Sequence, residues 1–166
     1  MARHNVDKNP VDFEAHYNLG AMLQGRGDLS GAEKQCAMAL SICPEDATVN
    51  NAIAGANLAT GHADAAVTYL RTALRSRPEY FDAHYNLGTA LAIQNNFEAA
   101  VEEFRTAVRL DPRDANAEAN LGAALAELGN WKEARAHLEK ALAINPNLTN
   151  ARDNLEQVKR EIPNHQ

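Results

Sequence analysis

Four asparagines, Asn18, Asn86, Asn120 and Asn154, recur at intervals of 34 residues or twice that. A primary amide offers one acceptor and two N–H donors on a short stem, so it can bond both the C=O and the N–H of a passing backbone. One such amide per repeat is chemistry for holding an extended chain, and only Ala52 interrupts the column. Nothing in the sequence points to breaking bonds. It has no Gly-rich phosphate loop, no His-Glu-x-x-His and no closely spaced Cys/His quartet. His16 and His84 share a place but stand two repeats apart, about 20 Å at ordinary helix-packing distances, so they cannot share a metal. The six histidines read as partly exposed packing residues. No catalytic residue, metal site or cofactor is expected.

The charge balance narrows the partners. The chain carries a net charge of −6 with a pI near 5.5, and no basic stripe is available to displace counterions from nucleic acid. No apolar run approaches the ~18 residues that span a bilayer, so neither nucleic acid nor membrane is expected as a partner. No signal peptide is visible after Met1-Ala-Arg-His-Asn. Cys36 and Cys43 lie seven residues apart in one predicted helix. That is about 10 Å along its axis, beyond the ~7 Å reach of a disulfide between Cα atoms. Both are expected to be small, partly buried thiols, and a cytoplasmic setting is favoured.

The elements that must position the amides come from the period itself. Four units span 13–46, 47–80, 81–114 and 115–148, with a partial fifth from Thr149. The seventh place holds Leu19, Ile53, Leu87, Leu121 and Leu155, and the eighth is small: Gly20, Ala54, Gly88, Gly122. Alanine recurs as Ala32, Ala66, Ala100, Ala134 and as Ala39, Ala73, Ala107, Ala141, before Pro44, Pro78, Pro112 and Pro146. A fixed period of this length marks a stacked architecture in which each unit buries its apolar face only against its neighbours.

Within a unit, Ala83, Leu87, Ala90 and Leu91 share one face of a helix, and Ala100, Phe104, Ala107 and Val108 share one face of a second. Between them the chain breaks at Gly27-Asp28, Gly61-His62, Asn95-Asn96 and Gly129-Asn130, where Gly or Asn tolerates the left-handed conformation that ends a helix. Asp12, Asp46 and Asp114 are placed to cap the next helix. The short connections force the helices antiparallel, so each unit is predicted to be a helical hairpin that crosses closely at its small residues.

Segments such as His84-Tyr85-Asn86-Leu87-Gly88 and Ala141-Leu142-Ala143-Ile144-Asn145-Pro146 resemble the tetratricopeptide repeat (TPR) consensus almost residue for residue. The resemblance runs from Phe13 to about Ile162. It implies an all-α, right-handed α-α superhelix (a TPR solenoid) of four full repeats plus a C-terminal capping helix over 149–162. First helices would line a concave groove and second helices the convex back. The family's usual early tryptophan is replaced by His16, Asn50, His84 and Glu118. Residues 1–12 are expected to be an N-terminal tail or the remnant of a preceding, trimmed repeat, and 163–166 a tail. The capping helix keeps an apolar face through Ala151, Leu155, Val158 and Ile162 but turns Glu156, Lys159 and Arg160 to water.

By the same resemblance, places two, five, six, nine, twelve and thirteen of each first helix face the groove. The asparagine column then falls in it, and resembles the ladder in the TPR superhelix of O-linked N-acetylglucosamine transferase that holds a substrate backbone. First helices about 8–10 Å apart would meet roughly every third residue of an extended chain. The expected groove residues are Tyr17, Asn18, Asn51, Asp82, Tyr85, Asn86, Thr89, Asn116, Asn120, Glu127, Asp153 and Asn154. The Lys and Arg that let chaperone-binding TPR domains grip a C-terminal carboxylate are missing, and Asp82, Glu127 and Asp153 favour an extended neutral or basic segment. The expectation is a non-enzymatic interaction module that binds a protein or peptide through this groove. The alternatives are a scaffold acting through its back, where Arg71, Arg75, Arg105 and Arg109 stand, weak self-association through an N-terminal face bearing Phe13 and Tyr17, or an accessory segment of a larger protein.

Overall fold

The computed structural model describes residues 10–161, and their regular structure is entirely helical. The order is α1 (Pro10–Gly25), α2 (Leu29–Ile42), α3 (Ala47–Ala59), α4 (Ala63–Ser76), α5 (Phe81–Ile93), α6 (Phe97–Leu110), α7 (Ala115–Glu127), α8 (Trp131–Ile144) and α9 (Thr149–Glu161). The breaks fall where the sequence put them. Gly27, Gly61, Asn95 and Gly129 all take positive φ, at 81°, 82°, 59° and 74°. A side chain disfavours this region by roughly 1–2 kcal/mol, which Asn tolerates best after Gly.

The carboxylate of Asp46 accepts from the Thr48 and Val49 amides at 2.9 Å, and that of Asp114 accepts from the Ala117 amide at 2.7 Å. Asp12 departs from the expectation. Helix α1 already begins at Pro10, so Asp12 sits inside its first turn rather than ahead of it. Proline suits a first helical position because its missing N–H would have had no partner there. The stretch 10–12, expected to be non-helical, therefore belongs to α1, while 1–9 and 162–166, with Ile162, lie outside the described residues.

The chain forms two compact units, divided between Pro78 and Glu79. In the first, α1 pairs with α2 and α3 with α4, and α2 packs on α3. Its core gathers Cys36, Ala39, Val49 and Ile53, with Phe13, Tyr17, Leu40, Ala52 and Tyr69 packed against them. Cys36 is buried and Cys43 half-buried, both as free thiols. Burial pushes the Cys36 thiol above its ordinary value. In the second unit α5 pairs with α6 and α7 with α8, α6 packs on α7, and α8 packs on α9.

The small residues act where the helices of a hairpin cross. A Cβ on Gly88 would lie 2.7 Å from the Phe104 ring, one on Gly122 2.7 Å from Leu138 Cγ, and one on Gly20 2.8 Å from Cys36 Sγ. Ala100, Ala107, Ala134 and Ala141 are completely buried. Val101 shares the buried face of α6 with Ala100, Phe104 and Ala107, whereas Val108, expected there, is only half-buried. Helix α9 buries Ala151, Leu155 and Val158 and leaves Glu156, Lys159 and Arg160 exposed, with Lys159 Nζ donating to Glu156 Oε1 at 2.9 Å.

Candidate functional site

In the second unit, α5, α7 and α9 each carry an asparagine at the sixth place of the repeat: Asn86, Asn120 and Asn154, all half-buried. They are not three equal, unoccupied rungs. Asn120 Nδ2 donates to the Tyr85 hydroxyl at 3.1 Å, and Asn86 is also engaged within the protein. Asn120 keeps its carbonyl oxygen and a second N–H, so this bond takes one of its donors.

Tyr85 is itself tightly placed. Its ring stacks on Phe81 with centroids 6.1 Å apart and meets Phe104 edge-on at the same separation. Burial drives its phenol above the ordinary value, against the opposing pull of the Asn120 bond. Thr89 Oγ1 donates to the Tyr85 carbonyl one turn back, at 3.0 Å.

Beside this cluster lies an open hollow of about 340 Å³. Thr89, Asn120 and Glu127, three of the residues chosen from the sequence, line it from two helices, together with Ile93, Phe97 and Phe104. Asp82, Asn116 and Asp153 are exposed on the same three first helices, and Asn154 is half-buried. In the first unit Tyr17 packs against the core, Asn18 is exposed, and Asn51 is half-buried and engaged within the protein. A cavity of about 370 Å³ there is lined by Ser30, Glu33, Asn57, Thr60 and His62 among others. Asn57 spends its Nδ2 on the Ile53 carbonyl at 2.9 Å, and Thr60 Oγ1 bonds His62 Nδ1 at the same distance.

Sequence reasoning missed the apolar part of the hollow. Ile93 occupies the thirteenth place, where the neighbouring repeats carry Ala59 and Glu127, and that contrast was its signal. It also missed polar pairs that tie first helix to second. His16 Nδ1 lies 2.8 Å from Gln35 Oε1, His84 Nδ1 2.6 Å from Glu103 Oε2, and His137 Nδ1 2.7 Å from Glu118 Oε2. All three join residues 19 apart. Glu118 is fully buried and also pairs with Lys140. Asn50, at the equivalent place, bonds the Pro44 and Asp46 carbonyls instead. These three histidines thus join the two helices of their own hairpins by hydrogen bonds, a more specific role than packing.

Of Arg71, Arg75, Arg105 and Arg109 on the second helices, two have acidic partners. Arg105 pairs with Glu133 at 2.7 Å and Arg109 with Glu79 at 4.0 Å. Among the described residues there is no group of three or more potential metal ligands, and no helix is long and apolar enough to cross a membrane.

Known proteins place this geometry in a class. The Tetratricopeptide repeat family model matches residues 52–115 and 94–149, more than half of the chain, and the chain belongs to that family. No curated protein sequence matches it significantly. Among solved structures it is similar to MamA, at 20% identity, TM-score 0.82, covering 90% of this chain and 82% of that one. It is similar to PilF of Pseudomonas aeruginosa, at 23% identity and TM-score 0.81, over 92% of this chain and 69% of that one. It is also similar to YrrB, a TPR protein with an unusual peptide-binding site, at 23% identity and TM-score 0.80, over 95% and 83% of the two chains. The fold is the TPR α-α solenoid. TPR proteins are generally non-catalytic scaffolds that bind protein or peptide partners, and the fold makes this chain a protein–protein interaction module.

Proposed function

We propose that the module binds an extended peptide segment, neutral or basic, along the first helices of its second unit, with no catalytic step. The observation that carries this reading is the hollow that Thr89, Asn120 and Glu127 line together from α5 and α7. Residues selected one repeat apart for their groove places converge on one open depression. Asn86, Asn120 and Asn154 supply amide groups on successive first helices, and each amide–backbone bond contributes about 0.5–1.5 kcal/mol net. Three such bonds supply at most about 4.5 kcal/mol, the millimolar regime on their own, so tighter binding needs side-chain contacts as well. Asp82, Glu127 and Asp153 bias the charge toward a basic ligand. Peptide binding by YrrB, a neighbour of the same fold, is consistent with this use of the scaffold.

The probe is a peptide selected on the full chain from a randomised display library. Asn86→Ala with Asn120→Ala should weaken it at least tenfold by calorimetry and leave the helical circular dichroism intact. Unchanged affinity would move the binding surface to the back or the ends.

A second reading rests on the first unit. Phe13 and Tyr17, expected to bear weak self-association through the N-terminal face, pack against the core, so that reading rests instead on Leu19 and Met22, which α1 leaves exposed.

A further inference from the structure

The hollow between α5, α6 and α7 holds more than an amide rung. Ala92, Ile93, Phe97, Phe104, Ala123 and Ala124 make its lining mainly apolar, and Ile93 is 54% exposed. A ligand that covers such a side chain removes apolar surface from water, which favours binding. The feature is local to this pair of repeats. Further along the same unit the thirteenth place carries Glu127 and then Glu161. At about 340 Å³ the space admits a bulky side chain, but not a helix, which is about 10 Å across. Glu127 lines the same hollow and makes no ion pair among the described residues. Two residues apart on an extended chain, side chains point the same way about 7 Å from each other.

We propose that this hollow is a specificity pocket for one bulky apolar side chain of an extended peptide, with a Lys or Arg two positions away facing Glu127. This rests on the groove reading above and names the ligand it selects.

The test is selection of a random octapeptide display library on the full chain, followed by fluorescence anisotropy with the recovered peptides. The pattern expected is Leu, Ile, Met or Phe followed or preceded at two positions by Lys or Arg. Ile93→Glu, at an exposed position that leaves folding undisturbed, should weaken these peptides at least tenfold, as should Ala123→Leu, which fills the space. Glu127→Lys should weaken them at least fivefold and be rescued by a peptide carrying Glu in place of the basic residue. Peptides that depend on Asn86 and Asn120 but are indifferent to Ile93, Ala123 and Glu127 would overturn the pocket and leave the groove standing. Peptides indifferent to all five, or a library that yields no binder, would overturn both.

Discussion

Replacing one hydrogen on Gly88 with a methyl group would place carbon 2.7 Å from the Phe104 ring. Gly88→Ala should therefore lower the stability of the second unit by about 1–3 kcal/mol through overpacking, measured by urea melts. Gly25 provides the contrast, since a Cβ there meets nothing within 4 Å. Gly25→Ala should be neutral or gain up to about 1 kcal/mol in helix propensity. A second test at this scale concerns pH. The phenol of Tyr85 and the thiol of Cys36 are both raised by burial, so the unfolded chain ionises these groups first. Their stabilising contribution is complete below the ordinary values and is lost as pH rises through the folded ones. The urea midpoint should fall as pH rises past the ordinary thiol and phenol values, about 8.5 and about 10, and Tyr85→Phe should flatten the upper part of that fall. Equal slopes for parent and variant would remove Tyr85 from the account. The small eighth place was readable in the sequence because it repeats. The Asn120–Tyr85 bond was not, because each residue was assigned separately to a shared groove and nothing in the column shows a side chain turning to its neighbour.

Helices and their ends were the most legible elements, since Gly27, Gly61, Asn95 and Gly129 mark left-handed turns by residue type alone. The start of α1 is not legible from the period, which points to Asp12 as a cap, whereas Pro10 opens the helix earlier. Less legible were the cross-hairpin pairs, whose partners stand 19 residues apart and alternate between acid, amide and imidazole. At this scale Glu118 is the most sensitive point, a carboxylate with no solvent exposure held between His137 and Lys140. His137→Ala would leave its Oε2 without that partner. The expected cost is about 1–3 kcal/mol, the range for a stranded buried acceptor, and Lys140→Ala, which takes the cation from Oε1 of the same buried carboxylate, should cost at least as much. No loss for either variant in thermal melts would contradict this account.

For the whole molecule, the periodic pattern gave the solenoid class, whereas the apolar hollow and the exposed front residues depend on which side chain departs from the pattern. Leu19 is 41% exposed, although its equivalents Ile53, Leu87, Leu121 and Leu155 are all buried. Leu19→Glu with Met22→Glu should leave the melting temperature within about 2 °C, because neither side chain is packed away. If the front face associates, the same variant should lower the sedimentation coefficient at high concentration, and an unchanged coefficient would discard the self-association reading. The mirrored polar pairs also bear on how the chain avoids folding wrongly. Repeats that share one pattern of apolar and small residues invite a first helix to dock on the second helix of the next hairpin. In the second unit that exchange would set His84 against His137 and Glu118 against Glu103, like facing like, with one acid sealed from water. The two hairpins of this unit thereby carry opposite passwords, and a chimera that shuffles α5 to α8 or α7 to α6 would fail to match them.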